Sequence, residues 1–245
     1  MEATSRPTDF KYAQLRELFA QLGPGPVSVL DLGCGTCKAV EGALREHPNV
    51  SYVGVEQDAA ALAQARRLIG DLPTVQLQEA FGEQFSGGTF DLVISLSVLE
   101  HVKYLDAFLE TSVRAVRPGG TLMHRYDLGH ALTPSTLGER LRVAVARRVP
   151  AAVPAARFTT SPDATAIVRR LGELGIVDLT VRQAQAPSLK AAMNRIDQST
   201  PEGQRLAADV VALDARLWDE LSPALKPEAR DRLFPAIIVT GRRAG

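Results

Sequence analysis

The sequence lacks net charge, a long apolar run and an apolar leader, and each absence argues against one class of protein. Lysine plus arginine equal aspartate plus glutamate at 28 each, so no overall basic field exists to attract nucleic acid. No apolar stretch approaches the roughly 20 residues that a membrane-spanning helix needs. The first residues contain no apolar core of the signal-peptide type. We therefore expect a cytoplasmic protein with no membrane partner and no nucleic-acid partner.

Cysteine is also scarce, since Cys34 and Cys37 are the only two in the chain. Their C-x-x-C spacing at a predicted helix start is compatible with a redox pair. The alternative is that both are small residues that fill a tight turn. We favour the second interpretation, because the glycine-rich pattern around them already explains their position.

That pattern is the most informative stretch of the chain. The short apolar run from Val27 to Leu30 predicts a buried strand. Gly33 and Gly35 follow it, and a helical pattern begins near Lys38. Glycines allow the backbone to approach a ligand closely, and the start of a helix offers free N–H groups. Lys38 stands where the dinucleotide fingerprint G-x-G-x-x-G has its third glycine, which weakens a nicotinamide-oxidoreductase interpretation.

The same stretch resembles motif I, D/E-x-G-x-G-x-G, of the class I S-adenosylmethionine-dependent methyltransferases. Asp31, Gly33 and Gly35 match the motif, and Cys37 replaces its last glycine. The resemblance continues through an F-D-L-V strand over Thr89–Ser95 and a Pro-Gly-Gly turn before the fifth strand. It implies an α/β, Rossmann-like fold with a seven-stranded, mostly parallel sheet, helices on both faces and an antiparallel last strand.

Glu56 lies about 20 residues after the glycine turn, at the end of the second predicted strand. A carboxylate in this position can accept hydrogen bonds from both ribose hydroxyls of a nucleotide cofactor. The family resemblance extends the site to an acidic–alanine pair that faces adenine and to the end of the fourth strand. The implied cofactor is S-adenosylmethionine, with adenosylhomocysteine as product, and the predicted binding residues are Asp31, Gly33, Cys34, Gly35, Glu56, Gln57, Glu79, Ala80, Ser95 and Leu96.

The segment Ser97–Val102 resembles E-x-x-E-H segments of quinone-biosynthesis and small-RNA O-methyltransferases, in which two glutamates and a histidine are associated with a divalent metal. Ser97 replaces the first glutamate, and a hydroxyl is a poor ligand for a hard cation. We therefore predict no metal site. His101, Asp127 and His130 are the candidate catalytic bases, with a structural role as the alternative.

The chain is predicted to be a single methyltransferase domain over 1–245, with helical insertions at about 128–161 and 187–232. Within the second insertion, Thr200 and Pro201 favour a helix start. Apolar residues recur there every three or four positions over 200–222. This stripe is either part of the core or the contact surface of a homodimer.

These patterns predict an S-adenosylmethionine-dependent methyltransferase that acts on a small molecule or sugar unit, with an oxygen acceptor favoured over nitrogen. The transfer would be in line, with a histidine or aspartate assisting as base. Two alternatives stay open. One is a nicotinamide-dependent oxidoreductase, and the other is a non-catalytic, adenosylmethionine-binding partner protein.

Overall fold

The computed structural model describes residues 15, 18–21, 23–127, 162–185, 199–209, 212 and 235–245. Seven strands form one sheet in the order β3-β2-β1-β4-β5-β7-β6. Among the described strands, β7 runs antiparallel to the other six. The predicted sheet is thereby confirmed. The strands are β1 (Val27–Leu32), β2 (Val50–Glu56), β3 (Val75–Glu79), β4 (Phe90–Leu96), β5 (Val116–Asp127), β6 (Ile176–Gln185) and β7 (Pro235–Arg243).

Helices cover both faces of the sheet, as the sequence predicts. They are α1 (Glu41–Glu46), α2 (Ala59–Ile69), α3 (Leu105–Ala115) and α4 (Ala164–Glu173). Apolar side chains of α1 and α2, together with Leu15 and Phe19, form one core with the sheet. Apolar side chains of α3 and α4 form the second core on the opposite face.

Two helices, α2 and α4, begin with the aspartate caps that the sequence pattern indicates. Asp58 precedes α2, and its Oδ1 accepts hydrogen bonds from the N–H groups of Ala60 at 2.9 Å and Ala61 at 3.2 Å. Asp163 caps α4 in the same way. A side-chain acceptor here satisfies N–H groups that have no partner within the helix.

Two boundaries differ from the sequence pattern. The helix expected from about Lys38 begins only at Glu41, because Cys37 has a φ of +58° and residues 37–40 form turns. The Pro-Gly-Gly segment is not a free turn before the fifth strand. It lies inside β5, and the register with β4 shifts between Phe90 and Leu92 to accommodate it.

The two predicted insertions lie largely outside the described residues. Residues 201–209 are helical, and the Oγ1 of Thr200 accepts a hydrogen bond from the Gly203 N–H at 3.0 Å. The single-domain division and the 200–222 dimer surface stay predictions. Within the described part of the chain, no helix combines the length and the apolar character needed to cross a membrane.

Candidate cofactor and acceptor site

The glycine turn leaves β1 and folds back over the end of β2. The N–H groups of Gly33 and Cys34 both donate to the Val55 carbonyl oxygen, at 2.8 and 3.0 Å. Gly33 has a φ of +81°, and a Cβ there would lie 2.6 Å from the Val98 Cγ2 atom. Both the backbone conformation and the space therefore require glycine at position 33.

Glu56 ends β2 directly beside this turn. Its Oε2 accepts a hydrogen bond from the Gly35 N–H at 2.9 Å, and its Oε1 accepts one from the Asp58 N–H at 2.9 Å. The side chain is half-buried. Each oxygen of an ionised carboxylate has capacity for a second donor. Glu56 is thus held in a fixed position and can still accept hydrogen bonds from ligand hydroxyls.

Asp31 supports the turn from within the core. It is 2% exposed, and its Oδ2 accepts a hydrogen bond from the Tyr52 hydroxyl at 2.9 Å. Burial, and then the negative charge of Asp31, raise the pKa of Tyr52 well above its usual value, so the tyrosine stays a neutral donor. Sequence reasoning missed Tyr52, although a tyrosine in an otherwise apolar buried strand signals a need for a polar partner.

The two cysteines are free thiols built into the same turn. The Cys37 Sγ atom lies 3.6 Å from the Tyr52 hydroxyl oxygen. The Cys34 side chain packs over Gly54, where a Cβ would lie 2.9 Å from its Sγ. A hydrogen bond with Cys37, and then burial, raise the pKa of the Cys34 thiol well above its usual value. The reactive thiolate is therefore disfavoured, which fits a packing role better than a redox role.

The adenine-side candidates lie on the next strand. Glu79 ends β3 in register with Glu56, and the Ala80 N–H donates to the Glu56 carbonyl oxygen at 3.1 Å. Gln57 and Glu79 are exposed and Ala80 is half-buried. Phe81, which the sequence prediction omits, is 48% exposed beside them. The sequence signal that could have indicated this flat apolar surface is a phenylalanine directly after the acidic–alanine pair.

Ser95 and Leu96 end β4, but their side chains are turned into the protein. Ser95 is completely buried, and its Oγ lies 2.7 Å from the Nδ1 of His124 on β5. Leu96 is 8% exposed and belongs to the core beneath α1. The Ser95 hydroxyl is therefore engaged with a side chain of the neighbouring strand.

His124 and Tyr126 form a second buried polar group, on the α3 and α4 face of β5. Burial lowers the pKa of His124 to about 3, so its ring is neutral at physiological pH. Burial, and then the charges of Asp163 and Glu100, raise the pKa of Tyr126. Within the described part of the chain, the His124 Nε2 and the Tyr126 hydroxyl have no hydrogen-bond partner.

Ser97 and Arg125 connect the loop after β4 to the end of β5. The Arg125 guanidinium donates from Nη1 to the Ser97 Oγ at 3.0 Å. A divalent cation at Ser97 would lie beside this positive charge, so these residues do not fit a metal. Among the described residues, no cluster of three or more His, Cys, Asp or Glu side chains could hold a metal ion.

The catalytic candidates are described only in part. His101 is half-buried in the short 3₁₀ turn Leu99–His101, next to the fully buried Glu100. Asp127 ends β5 opposite Ala236, which places its backbone at the same carboxyl edge, but its side chain lies outside the described part. His130 lies outside the described residues altogether. Their catalytic roles stay predictions.

Known proteins resemble this chain in sequence and in fold. The sequence profile described as "Methyltransferase domain" matches residues 30–122. Trans-aconitate 2-methyltransferase of Deinococcus radiodurans is 29% identical over 123 residues, which are 50% of this chain and 46% of that protein. A ubiquinone biosynthesis O-methyltransferase of Rhizobium rhizogenes is 32% identical over 96 residues, 38% of each protein. The chain thus spans less than half the length of these curated relatives.

Among solved structures, phosphoethanolamine N-methyltransferase 2 of Haemonchus contortus was determined with phosphomonomethylethanolamine and S-adenosylhomocysteine. It aligns with a TM-score of 0.62 at 20% identity, over 95% of this chain and 53% of that one. At this identity the likeness establishes the fold. The matching sequence profile covers the segment from β1 into β5, which carries the glycine turn and Glu56.

Proposed function

We propose that this chain, whose residues 30–122 match a methyltransferase domain, is a class I S-adenosylmethionine-dependent methyltransferase that binds S-adenosylmethionine and methylates a small molecule. The observation that carries the proposal is the contact between Glu56 and Gly35. This hydrogen bond holds the acidic side chain of Glu56 next to a glycine turn whose backbone a ligand can approach closely, at the carboxyl ends of β1 and β2. Open parallel sheets bind nucleotide ligands at this edge.

The described residues fit each part of such a cofactor. The Glu56 carboxylate would accept the ribose hydroxyls, and the backbone of Gly33 and Gly35 allows the methionine portion to lie close. Glu79 can accept from the adenine amino group while the exposed face of Phe81 packs on the ring. These residues lie on three adjacent strand ends.

When bound, the cofactor supplies an electrophilic methyl group on a sulfonium. The protein's contribution is to hold the acceptor atom at the carboxyl ends of β4 and β5, in line with that methyl group. If the acceptor is a hydroxyl, His101 would remove its proton, with Asp127 and His130 as the other candidates.

We propose that the acceptor atom is an oxygen of a small molecule or sugar unit. One class of relatives, the ubiquinone biosynthesis enzymes, carries O-methyltransferase in its name. The Ser97–Val102 segment, which resembles that class, lies at the acceptor edge. The zero net charge of the chain argues against a nucleic-acid acceptor.

The test is calorimetric titration with S-adenosylhomocysteine, using NAD as the competing cofactor class. The wild type should bind adenosylhomocysteine in the micromolar range and should not bind NAD. Glu56→Ala should weaken adenosylhomocysteine at least tenfold, since a charge-assisted hydrogen bond contributes about 1.5–3 kcal/mol. Glu46→Ala is the matched control. Glu46 is an exposed glutamate at the carboxyl end of α1, away from the glycine turn, and this variant should bind adenosylhomocysteine as the wild type does.

Each alternative gives a different result. Binding of NAD instead would favour the nicotinamide oxidoreductase. Binding of neither would refute the proposal. Binding of S-adenosylmethionine without methyl transfer across a broad screen of hydroxyl acceptors would favour the non-catalytic partner protein.

The predicted homodimer is a separate question. Light scattering on the same sample tests whether the protein is a dimer in solution.

A further inference from the structure

Arg125 is the largest completely buried side chain among the described residues. It lies at the carboxyl end of β5, in register with Leu96 of β4 on one side and Ile238 of β7 on the other. Arginine stays charged at any accessible pH, and burying its guanidinium is costly unless the group is hydrogen-bonded. A side chain maintained in this position at such cost points to a specific task.

One of its hydrogen-bond partners is Ser97, which has a φ of +62°. This left-handed conformation costs a residue other than glycine on the order of 1–3 kcal/mol unless its surroundings stabilise it. Two hydrogen bonds from one residue supply that stabilisation. The Ser97 N–H donates to the Arg125 carbonyl oxygen at 2.6 Å, and the Arg125 Nη1 donates to the Ser97 Oγ at 3.0 Å.

The conformation of Ser97 sets the direction of the next residue, Val98. Val98 is packed over the glycine turn so closely that a Cβ at Gly33 would lie 2.6 Å from its Cγ2 and 3.0 Å from its Cγ1. The chain of contacts therefore runs from Arg125 through Ser97 and Val98 to Gly33. It joins the end of β5 to the turn that leaves β1.

We propose that Arg125 is a positioning residue for the cofactor turn, which acts by holding Ser97 in its left-handed conformation and Val98 against Gly33. The inference rests on the proposed function, because the turn it positions is the proposed cofactor site. Without the Arg125 side chain, the Ser97 N–H keeps its bond to the backbone carbonyl of residue 125, but the Ser97 Oγ loses its guanidinium donor. Ser97 then shifts toward a right-handed or extended conformation, Val98 withdraws, and the glycine turn loses its packed wall. Cofactor affinity then falls although Arg125 itself does not contact the cofactor.

The experiment exploits the fact that glycine adopts a positive φ without support. Arg125→Met should weaken S-adenosylhomocysteine binding about tenfold in calorimetry, and Ser97→Gly, which loses the hydroxyl contact but not the conformation, should bind more tightly than Arg125→Met. The double variant should recover most of the lost affinity, because a glycine in place of Ser97 keeps the left-handed conformation without the arginine. Affinity in Arg125→Met equal to the wild type, or no recovery in the double variant, would overturn the proposal.

Two further measurements keep the test decisive. If Arg125→Met does not fold, the comparison of Ser97→Val with Ser97→Gly replaces it. Valine is β-branched and lacks the hydroxyl, so Ser97→Val should bind S-adenosylhomocysteine about tenfold more weakly than Ser97→Gly. Equal affinities would contradict the proposal. Hydrogen exchange of the segment around Ser97 and Val98 needs no ligand. Faster exchange in Arg125→Met, reversed in the double variant, is expected even if the wild type binds no adenosylhomocysteine, so the two proposals fail separately.

Discussion

The carboxyl edge of the sheet has two halves that are built in different ways. At the ends of β1, β2 and β3, the backbone supplies most of the polar contacts: Gly33 and Cys34 donate to a carbonyl oxygen, and Glu56 accepts from two N–H groups. At the ends of β4 and β5, buried side chains pair across strands, as in Ser95 with His124 and Ser97 with Arg125.

The difference agrees with the roles proposed for the two halves. A backbone-built half offers the same donors and acceptors whatever side chains surround it, which suits a common cofactor. A half built from paired side chains can be altered by single substitutions, which suits an acceptor site that differs between relatives. Val98 against Gly33 is one contact between the halves, beyond the pairing of β1 with β4.

The largest expected effect tests the backbone-built half. Gly33→Val should weaken S-adenosylhomocysteine binding at least a hundredfold, because the new side chain would overlap Val98 and would have to adopt a φ of +81°. Calorimetry measures the loss. Gly88→Ala is the matched control, since a Cβ at Gly88 meets nothing within 4 Å and should leave the affinity unchanged. If Gly33→Val binds S-adenosylhomocysteine as tightly as the wild type does, the backbone conformation of the glycine turn does not determine cofactor binding.

An intermediate effect tests the half built from side chains, through His124. Its pKa is about 3 in the folded protein and 6.5 when unperturbed, so the unfolded chain binds an extra proton below pH 6.5. The stabilisation from the neutral ring is complete above pH 6.5 and is lost progressively down to pH 3. Between pH 7 and 5 the loss is about 2 kcal/mol.

Urea unfolding of the wild type and His124→Gln at both pH values measures this contribution. Glutamine can keep a hydrogen bond to Ser95 but does not titrate, so the variant should lose about 2 kcal/mol less than the wild type on acidification. The same pH dependence in both proteins would show that His124 is not buried as a neutral ring.

The smallest effect is expected far from both halves, at the amino edge of the sheet. The Asp91 carboxylate accepts hydrogen bonds from the N–H and the hydroxyl of Ser28, at 2.8 and 2.6 Å. Burial alone would raise the pKa of Asp91, but the bonds from Ser28 and Arg117 outweigh it and lower the pKa.

Asp91→Asn should cost about 1 kcal/mol of unfolding free energy at neutral pH and leave adenosylhomocysteine affinity unchanged. The stabilisation is present above the usual pKa of 3.8 and is lost as the pH falls through the lower folded value. Urea unfolding combined with calorimetry checks both parts. A tenfold loss of adenosylhomocysteine affinity in Asp91→Asn would show that the amino edge of the sheet also affects cofactor binding, which contradicts the comparison.

The glycine turn shows how much of the site could be predicted from sequence. Gly33, Gly35 and Glu56 are predictable because local chain chemistry places them: a strand, a turn that tolerates positive φ, and an acidic residue where the next parallel strand ends. Ser95 shows the limit. Its position at the end of β4 is predictable, but its hydroxyl is turned into the core by a histidine 29 residues away.

The sequence by itself determined the succession of strands and helices along the chain, and the resemblance of the segment from β1 to β5 to methyltransferases. Periodicity and turn residues act within a few positions of the chain, so a sequence pattern records them. Only the tertiary structure decided which buried polar groups meet, such as Tyr52 with Asp31 and Arg125 with Ser97. Those contacts join residues 21 and 28 positions apart, and their geometry depends on strand register and packing, which no local pattern encodes.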